Sequence, residues 1–184
     1  MKQRYLIALG SNQRHARHGS PRRVLQAAVA ALGSRIEMVS PIITSAPLGP
    51  SRRRYANAAA VVRSKREPDR MLAKLKGLER KFGRRRGGQR WGPRVLDLDI
   101  ILWEGGMWSS PGLTVPHISF RSRKFVLGPA AAIAPRWRDP ISGLSLAQLH
   151  ARLTRPLTKP GPLPKRGAWY GPIAQSVEQL TFNQ

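Results

Sequence analysis

The chain has 184 residues, of which 33 are lysine or arginine and 9 are aspartate or glutamate, so its formal net charge is +24. Its length suits one domain, and its 41% hydrophobic content argues against intrinsic disorder. The chain contains no apolar run near the roughly 20 residues that cross a bilayer. It also has no cysteine, which excludes disulfides, thiolate catalysis and cysteine-ligated metals.

The excess of positive charge predicts an anionic partner, because a chain with a net charge of +24 repels itself unless anions are near. Composition alone leaves two classes of partner open. One is a nucleic acid bound through its phosphates without sequence preference, and the other is a polyphosphate ligand. The few acidic residues are therefore more informative, since each acid inside an apolar strand needs a physical reason.

Hydrophobic periodicity predicts four strands and two helices in the first part of the chain. Ser20 and Pro21 provide the first helix with a cap and a first-turn proline, and Gly33 ends it. Pro68 begins the second helix, and Gly83 follows its last apolar position. The predicted strands are residues 5–9, 36–44, 55–63 and 95–103.

The remainder of the chain is predicted to be less regular. A glycine pair at 105–106 predicts a hairpin turn, and residues 111–120 are predicted to be irregular. Prolines recur from position 156, so we expect one domain at 1–155 and a Pro-rich, poorly ordered tail at 156–184. Two further helices are predicted at 125–133 and 145–153.

The order strand, helix, strand, strand, helix, strand is typical of a split β-α-β arrangement. It predicts the α+β class, with a ferredoxin-like antiparallel sheet, helices packed on it and additional C-terminal helices. The N-terminal residues predict a strand and not a secretion signal. We expect a cytoplasmic protein that does not contact a membrane, and we expect it to be a monomer.

Asp97 and Asp99 stand in the apolar segment Leu-Asp-Leu-Asp-Ile of the fourth predicted strand. Alternate residues of a strand share a face, so both carboxylates point the same way, with Cα atoms about 6.5–7 Å apart. Because paired carboxylates repel each other and are costly to desolvate, a divalent cation between them is one solution, and magnesium suits it best. The alternatives are an exposed edge strand or salt bridges to nearby arginines.

A basic, glycine-rich loop directly precedes this strand. Its arginines Arg84, Arg86, Arg90 and Arg94 flank glycines, which let a loop approach a ligand or close over it. Arginine makes planar, bidentate contacts with phosphate and neutralises charge during phosphoryl transfer. A solvated or RNA-contacting loop is the alternative, although RNA binding gives no reason for paired carboxylates beside it.

Two smaller features suit ligand binding. Tyr55 and Asn57 share a strand face, where a ring can stack on a flat heterocycle and an amide can bond to its edge. His117 follows a proline and can donate to a phosphate. Each has an ordinary alternative, since a strand tyrosine usually packs in the core and a single loop histidine is often incidental.

Taken in order, these segments resemble the 6-hydroxymethyl-7,8-dihydropterin pyrophosphokinase (HPPK) family of folate biosynthesis. The resemblance covers about residues 4–155, and its longest matching run, 90–100, ends in Leu-Asp-Leu-Asp-Ile. It implies that the hydroxymethyl oxygen of 6-hydroxymethyl-7,8-dihydropterin attacks the β-phosphorus of ATP, so that AMP leaves. The other matching segments are 9–12, 47–50, 55–58, 83–86, 113–117 and 123–127, together with Glu79.

The resemblance also implies roles for single residues. Asp97 and Asp99 would bind two Mg²⁺ ions, and Arg84 and Arg94 would stabilise charge on the transferring group, which makes these four the catalytic candidates. The ATP-binding candidates are Glu79, Arg84, Arg86, Trp91, Arg94, Ile100, Thr114, His117 and Arg123. The pterin-binding candidates are Ser45, Ala46, Leu48, Tyr55, Asn57, Asp97 and Phe125.

Two other classes of protein are alternatives to the enzyme that the resemblance implies. A basic RNA-binding protein with the same kind of sheet would not need Asp97 and Asp99, so specific nucleic-acid binding is not expected. A nucleotide- or pterin-binding pseudoenzyme would lack part of the chemistry, whereas no metal or arginine position of the motif is missing here.

Overall fold

The computed structural model describes residues 1–33, 35–47, 53–83 and 94–156. The described elements belong to one compact unit, from Met1 to Thr154. The strands are β1 (Gln3–Ser11), β2 (Ile36–Val39), β3 (Ile43–Ser45), β4 (Tyr55–Ser64), β5 (Asp97–Trp103), β6 (Trp108–Ser110) and β7 (Leu113–Val115). The helices are α1 (Pro21–Leu32), α2 (Pro68–Lys81), α3 (Lys124–Ile133) and α4 (Leu146–Thr154).

The main sheet has β1 at its centre. Its strand order is β2-β4-β1-β5, with β3 also paired to β4, and every neighbouring pair is antiparallel. Leu9 of β1 lies opposite Ala58 of β4 and Leu98 of β5. The predicted α+β class with an antiparallel sheet is confirmed.

Helices α1 and α2 cover one face of this sheet. The Ser20 side chain caps α1 by accepting a hydrogen bond from a backbone N–H of the first turn, and Gly33 follows the helix with a φ of +79°. Both predicted helices are confirmed, including the prolines at which they begin. The buried side chains that they bring to this face include Val24, Leu25, Ala28, Met71 and Leu75.

Helices α3 and α4 cover the opposite face, which confirms the predicted additional helices. Leu6 of β1 and Val61 of β4 alternate toward this side and pack against them. The sheet is therefore buried between two helical layers. Polar side chains on a sheet of this kind are exceptions to its apolar faces. No helix in the described part of the chain is both long and apolar enough to cross a membrane. The buried helix residues of this face include Val126, Leu127, Ala130, Ile133, Leu146 and Leu149.

The second predicted strand was wrong as one continuous element, because the structure divides it into β2 and β3. Ser40 lies at the break, where its backbone N–H donates to Ala59 O and its Oγ accepts from Ala59 N–H, both at 2.9 Å. The side chain thus takes the place of a backbone acceptor in the ladder. Pro41 follows and has no N–H to donate, so regular pairing stops there.

Residues 111–120 were predicted to be irregular, and this was also wrong in part. Leu113–Val115 is β7, which pairs with β6 rather than extending from β5. Pro111 and Gly112 form the turn between these two strands, and Gly112 has a φ of +84°. Proline followed by a left-handed glycine is a turn signal that the sequence contained.

Asp139 anchors the connection between α3 and α4. The carboxylate is fully buried and receives two hydrogen bonds from the Arg121 guanidinium, at 2.7 and 2.6 Å. Ser142 Oγ and the backbone N–H groups of Ile141 and Ser142 also donate to it. Burial would raise the pKa of Asp139, but the hydrogen bonds from Arg121 and Ser142 outweigh it and lower that pKa to about 2.

We expect Asp139→Asn to destabilise the fold by about 3 kcal/mol at pH 7, because it leaves the Arg121 charge without its partner. The folded-state pKa of Asp139 is depressed to about 2, so its contribution is present above the ordinary value of 3.8 and is lost as pH falls toward 2. The difference in unfolding free energy between wild type and variant should therefore shrink across that window. Denaturant unfolding at pH 7, 4 and 3 measures it, and a constant difference would contradict the assignment.

Candidate active site

A cavity of about 260 Å³ opens on the α3 side of the sheet, where β1 ends and β4 and β5 begin. The antiparallel register brings three side-chain positions into one row across its floor, with Gly10 opposite both Asn57 and Asp97. In the next row, Ala8 lies opposite Asp99. The sheet therefore places polar groups of β4 and β5 on either side of β1, whose side chains are very small at these positions.

Gly10 leaves space at the floor of this cavity because it has no side chain. A Cβ atom at this position would lie 3.7 Å from Asn57 Oδ1 and 3.9 Å from the Cβ of Asp97, which are ordinary contact distances. A larger side chain would therefore project between these two polar residues and fill the space. Four lining residues of the cavity were not predicted from the sequence, namely Ala8, Gly10, Ile101 and Val126. Only the strand register, which the sequence does not give directly, would have revealed them.

One wall of the cavity contains most of the predicted pterin-binding residues. Asn57 is buried, and its Nδ2 donates to Ser45 Oγ at 2.9 Å across the β3–β4 pair. Tyr55 is half-buried, and burial raises the pKa of its hydroxyl. Phe125 lies on the first turn of α3 and lines the same cavity. Ala46 lines it as well, whereas the predicted residue Leu48 lies outside the described residues.

The two aspartates of β5 face the cavity together, as their alternate positions predicted. Their side chains are 22% and 34% exposed for Asp97 and Asp99. Asp97 Oδ2 accepts a hydrogen bond from Arg94 Nη1 at 2.8 Å. Burial and the charge of Asp97 raise the pKa of Asp99, while the Lys76 ammonium, 3.8 Å from Asp99 Oδ1, opposes that rise. The predicted salt-bridge alternative is therefore present for Asp97.

Asn12 fixes the backbone of Arg94 beside these carboxylates. The Arg94 N–H donates to Asn12 Oδ1 at 2.7 Å, and the Asn12 N–H donates to Arg94 O at 3.1 Å. This two-point contact ties the end of β1 to the segment that leads into β5. Asn12 was not predicted as a site residue, although it lies in the first matching segment.

His117 and Arg123 approach the carboxylates from the loop before α3. His117 donates its backbone N–H to Ile101 O at 3.1 Å, and its Nδ1 accepts from Ser119 N–H at 3.2 Å. Burial lowers the pKa of His117, and the charge of Asp99 opposes that change. Arg123 is half-buried and lines the cavity, whereas Thr114 is exposed on β7 and does not line it.

The structure does not bring every predicted residue to the cavity. Ile100 is buried on the α1–α2 face, on the other side of β5. Glu79 is fully buried on α2, where its Oε1 accepts from Leu98 N–H at 2.7 Å and from Lys76 Nζ at 2.8 Å. The predicted residues Arg84, Arg86 and Trp91 lie outside the described residues.

The donor set of the cavity fits magnesium. Within the described residues, no group of three or more His, Cys, Asp or Glu side chains is close enough to enclose a metal ion. Magnesium does not need such a group, since it commonly takes one or two carboxylates and completes its shell with water and substrate phosphates. Asp97 and Asp99, half-exposed on one strand face, provide two carboxylates of this kind.

Fold and site together define an α+β domain whose cavity combines space for a small heterocycle with carboxylates and arginines suited to phosphate. A family model described as 7,8-dihydro-6-hydroxymethylpterin-pyrophosphokinase (HPPK) matches residues 6–135, which is more than half of the chain. The chain belongs to the HPPK family.

The chain is also similar to proteins named 2-amino-4-hydroxy-6-hydroxymethyldihydropteridine pyrophosphokinase. The Pseudomonas aeruginosa protein is 40% identical over 156 residues, which cover 82% of this chain and 92% of that protein. The Synechocystis sp. protein is 40% identical over 129 residues, which cover 68% of this chain and 66% of that protein. Among solved structures, Plasmodium falciparum HPPK-DHPS with STZ-DHP has the same fold, with a TM-score of 0.65 at 11% identity over 83% of this chain and 43% of its own.

Proposed function

We propose that this chain transfers a pyrophosphoryl group from ATP to 6-hydroxymethyl-7,8-dihydropterin in folate biosynthesis, releasing AMP. One observation carries the proposal: a single cavity collects Asn57 and Tyr55 on one side and Asp97, Asp99 and Arg94 on the other. A flat heterocycle and a polyphosphate need these two kinds of surface at once. Membership of the HPPK family supports the same reaction.

The pterin is assigned to the space above Gly10. Tyr55 and Phe125 would lie against the faces of its ring, and Asn57 would bond to its edge. Asn57 is buried and oriented by Ser45 Oγ, so its amide does not need to be ordered when the ligand binds. The hydroxymethyl group would then point toward Asp97, which lies across Gly10 from Asn57.

ATP is assigned to the cationic side of the cavity. Asp97 and Asp99 would hold two Mg²⁺ ions with the phosphates, and bound magnesium supplies charge neutralisation and activation of the attacking hydroxyl. Arg94, which contacts Asp97, would turn toward the charge that develops on the transferring group. Arg123 and His117 would contact the phosphates from the loop before α3. The proposed ATP-binding set also includes three residues that do not line this cavity and three that lie outside the described residues, respectively Glu79, Ile100 and Thr114, and Arg84, Arg86 and Trp91.

The proposal extends to the architecture. The strand order, with α1 and α2 on one face, supports a ferredoxin-like sheet. We assign the catalytic domain to residues 1–155 and no function to residues 156–184. A cytoplasmic monomer would meet both small substrates directly, and light scattering during gel filtration tests the oligomeric state.

Asp97→Asn and Asp99→Asn should each lower turnover about 10³-fold, because each removes a charge that helps to stabilise the transferring group. AMP release in the presence of ATP, magnesium and the hydroxymethyl-dihydropterin measures this, with thermal unfolding as the check on folding. Asp69→Asn makes the same chemical change at an exposed position of α2, so its turnover should stay within about twofold of wild type. Near-normal turnover in either site variant would remove the metal assignment.

Tyr55→Ala should weaken pterin binding by about 1–3 kcal/mol, the range for a base stacked on an aromatic ring, and should leave ATP binding nearly unchanged. Titration calorimetry with each substrate separates the two effects. Tyr55→Phe keeps the ring and serves as the control, with pterin affinity close to wild type. An equal loss of ATP and pterin affinity would show that Tyr55 does not belong to the pterin side.

Arg94→Ala should lower kcat by about 10²-fold or more while raising KM for ATP much less, because a contact that strengthens in the transition state acts on turnover. Arg152→Ala, at an exposed position of α4 that does not line the cavity, removes the same charge and should change neither constant at moderate salt. Steady-state kinetics at two salt concentrations make the comparison. If both variants lost activity equally, and salt suppressed both losses, Arg94 would contribute only general electrostatic attraction of ATP.

A further inference from the structure

Lys76 lies on α2, one helical turn before Glu79, and connects that helix to the cavity carboxylates. Its Nζ lies 2.8 Å from Glu79 Oε1 and 3.8 Å from Asp99 Oδ1, and it donates a hydrogen bond to Leu98 O at 3.3 Å. The side chain is 32% exposed. One ammonium group therefore stands between a buried carboxylate of α2 and a carboxylate of the proposed metal site.

The same two helix residues hold the backbone between the aspartates. The Leu98 N–H donates to Glu79 Oε1 at 2.7 Å, and the Leu98 carbonyl accepts from Lys76 Nζ. In the described sheet, β5 is an outer strand of the order, so these backbone groups point away from β1. Lys76 and Glu79 thus set the position of the peptide from which the neighbouring aspartates project.

Lys76 also changes the charge balance of the site. Asp97 has an arginine partner, Arg94, at 2.8 Å, and Asp99 has the Lys76 ammonium at 3.8 Å. A fixed positive charge at that distance offsets the negative potential of Asp99 and repels a second cation. A bare divalent ion would meet this repulsion, whereas an ion carried by a polyphosphate brings an excess of negative charge that Lys76 attracts.

We propose that Lys76 is a positioning residue that holds the β5 carboxylates and acts as the resident counter-ion of Asp99. It weakens the binding of a free divalent cation and strengthens the binding of the same cation in complex with ATP. The enzyme thereby favours the metal–nucleotide complex over the metal alone. The inference rests on the proposed metal site at Asp97 and Asp99, and no role in that site was assigned to Lys76 from the sequence.

The test compares free Mn²⁺ with Mn²⁺–ATP as ligands of purified full-length protein. In Lys76→Gln, the Kd for free Mn²⁺ should fall about threefold to tenfold, because the repelling charge is gone, while the Kd for Mn²⁺–ATP should rise by about the same factor. Electron paramagnetic resonance of bound Mn²⁺ and calorimetry measure both without turnover. Lys76→Arg keeps the charge and should keep both constants near wild type.

Lys74→Gln is the matched control. Lys74 lies on the same helix and carries the same charge, but its neighbouring charges are Arg35 and Arg66 rather than the cavity carboxylates. Its removal should leave both Mn²⁺ constants unchanged. If Lys74→Gln altered them as much as Lys76→Gln did, the effect would come from total charge, and the inference would be wrong.

Lys76→Gln leaves the buried Glu79 carboxylate without this ammonium, which can destabilise the fold. A double variant keeps the test possible in that case. If thermal unfolding shows that the single variant does not fold, Lys76→Gln with Glu79→Gln removes both charges and keeps amides that can bond to Leu98. Free Mn²⁺ should still bind this double variant more tightly than wild type. The same affinity as wild type would overturn the counter-ion role.

The outcomes also separate this inference from the proposed metal site. If Asp99→Asn abolishes Mn²⁺ binding but Lys76→Gln leaves both constants unchanged, the metal site stands and the inference fails. If wild type binds neither free Mn²⁺ nor Mn²⁺–ATP, or binds Mn²⁺–ATP equally well after Asp97→Asn and Asp99→Asn, the metal site fails and the inference with it. The inference is supported if Lys76→Gln shifts the two Kd values in opposite directions and Lys74→Gln shifts neither.

Discussion

The alternation of side chains along β5 determines which of its residues face the cavity and which are buried on the other side of the sheet. Leu98 is buried against α1 and α2, whereas Asp97 and Asp99 face the opposite side. A slip of one residue would bury both carboxylates and expose the apolar side chains, at a free-energy cost larger than a small domain can offset. The register between β5 and β1 is therefore fixed, and that register sets Gly10 between Asp97 and Asn57.

The sequence predicted what short-range patterns determine. Cap and turn residues located α1 and α2, and period-two alternation gave the shared face of Asp97 and Asp99. The break at Ser40 depended on a hydrogen bond to Ala59, nineteen positions away, which no local pattern contains. The small floor residues and the burial of Glu79 likewise depend on strand register and helix packing. Most of the candidate residues within the described ranges meet at one cavity, because two of the matching segments contribute to β4 and β5. These two strands pair with β1 from either side.

Two of the many cationic side chains of this protein contact the paired carboxylates of the cavity. The two explanations for the aspartate pair, a metal ion and a salt bridge, are compatible, because Arg94 and Lys76 are side chains that contact the carboxylates without enclosing them. Two neighbouring carboxylates need cationic partners before any substrate arrives. Arg94 supplies one partner to Asp97, and Lys76 supplies the other to Asp99. In the proposed function, a net charge of +24 would raise the local concentration of polyphosphates, and contacts within the cavity would select among them.

The contact of α2 with the backbone of β5 has a consequence for the behaviour of the folded chain in solution. An outer strand presents N–H and C=O groups that can pair with a strand of another molecule and begin aggregation. At Leu98 both groups are already bonded, to Glu79 and to Lys76. An incoming strand would have to displace a buried carboxylate and its ammonium partner to add itself here. The side chains that position the carboxylates thus also close the middle of this edge to intermolecular sheet growth.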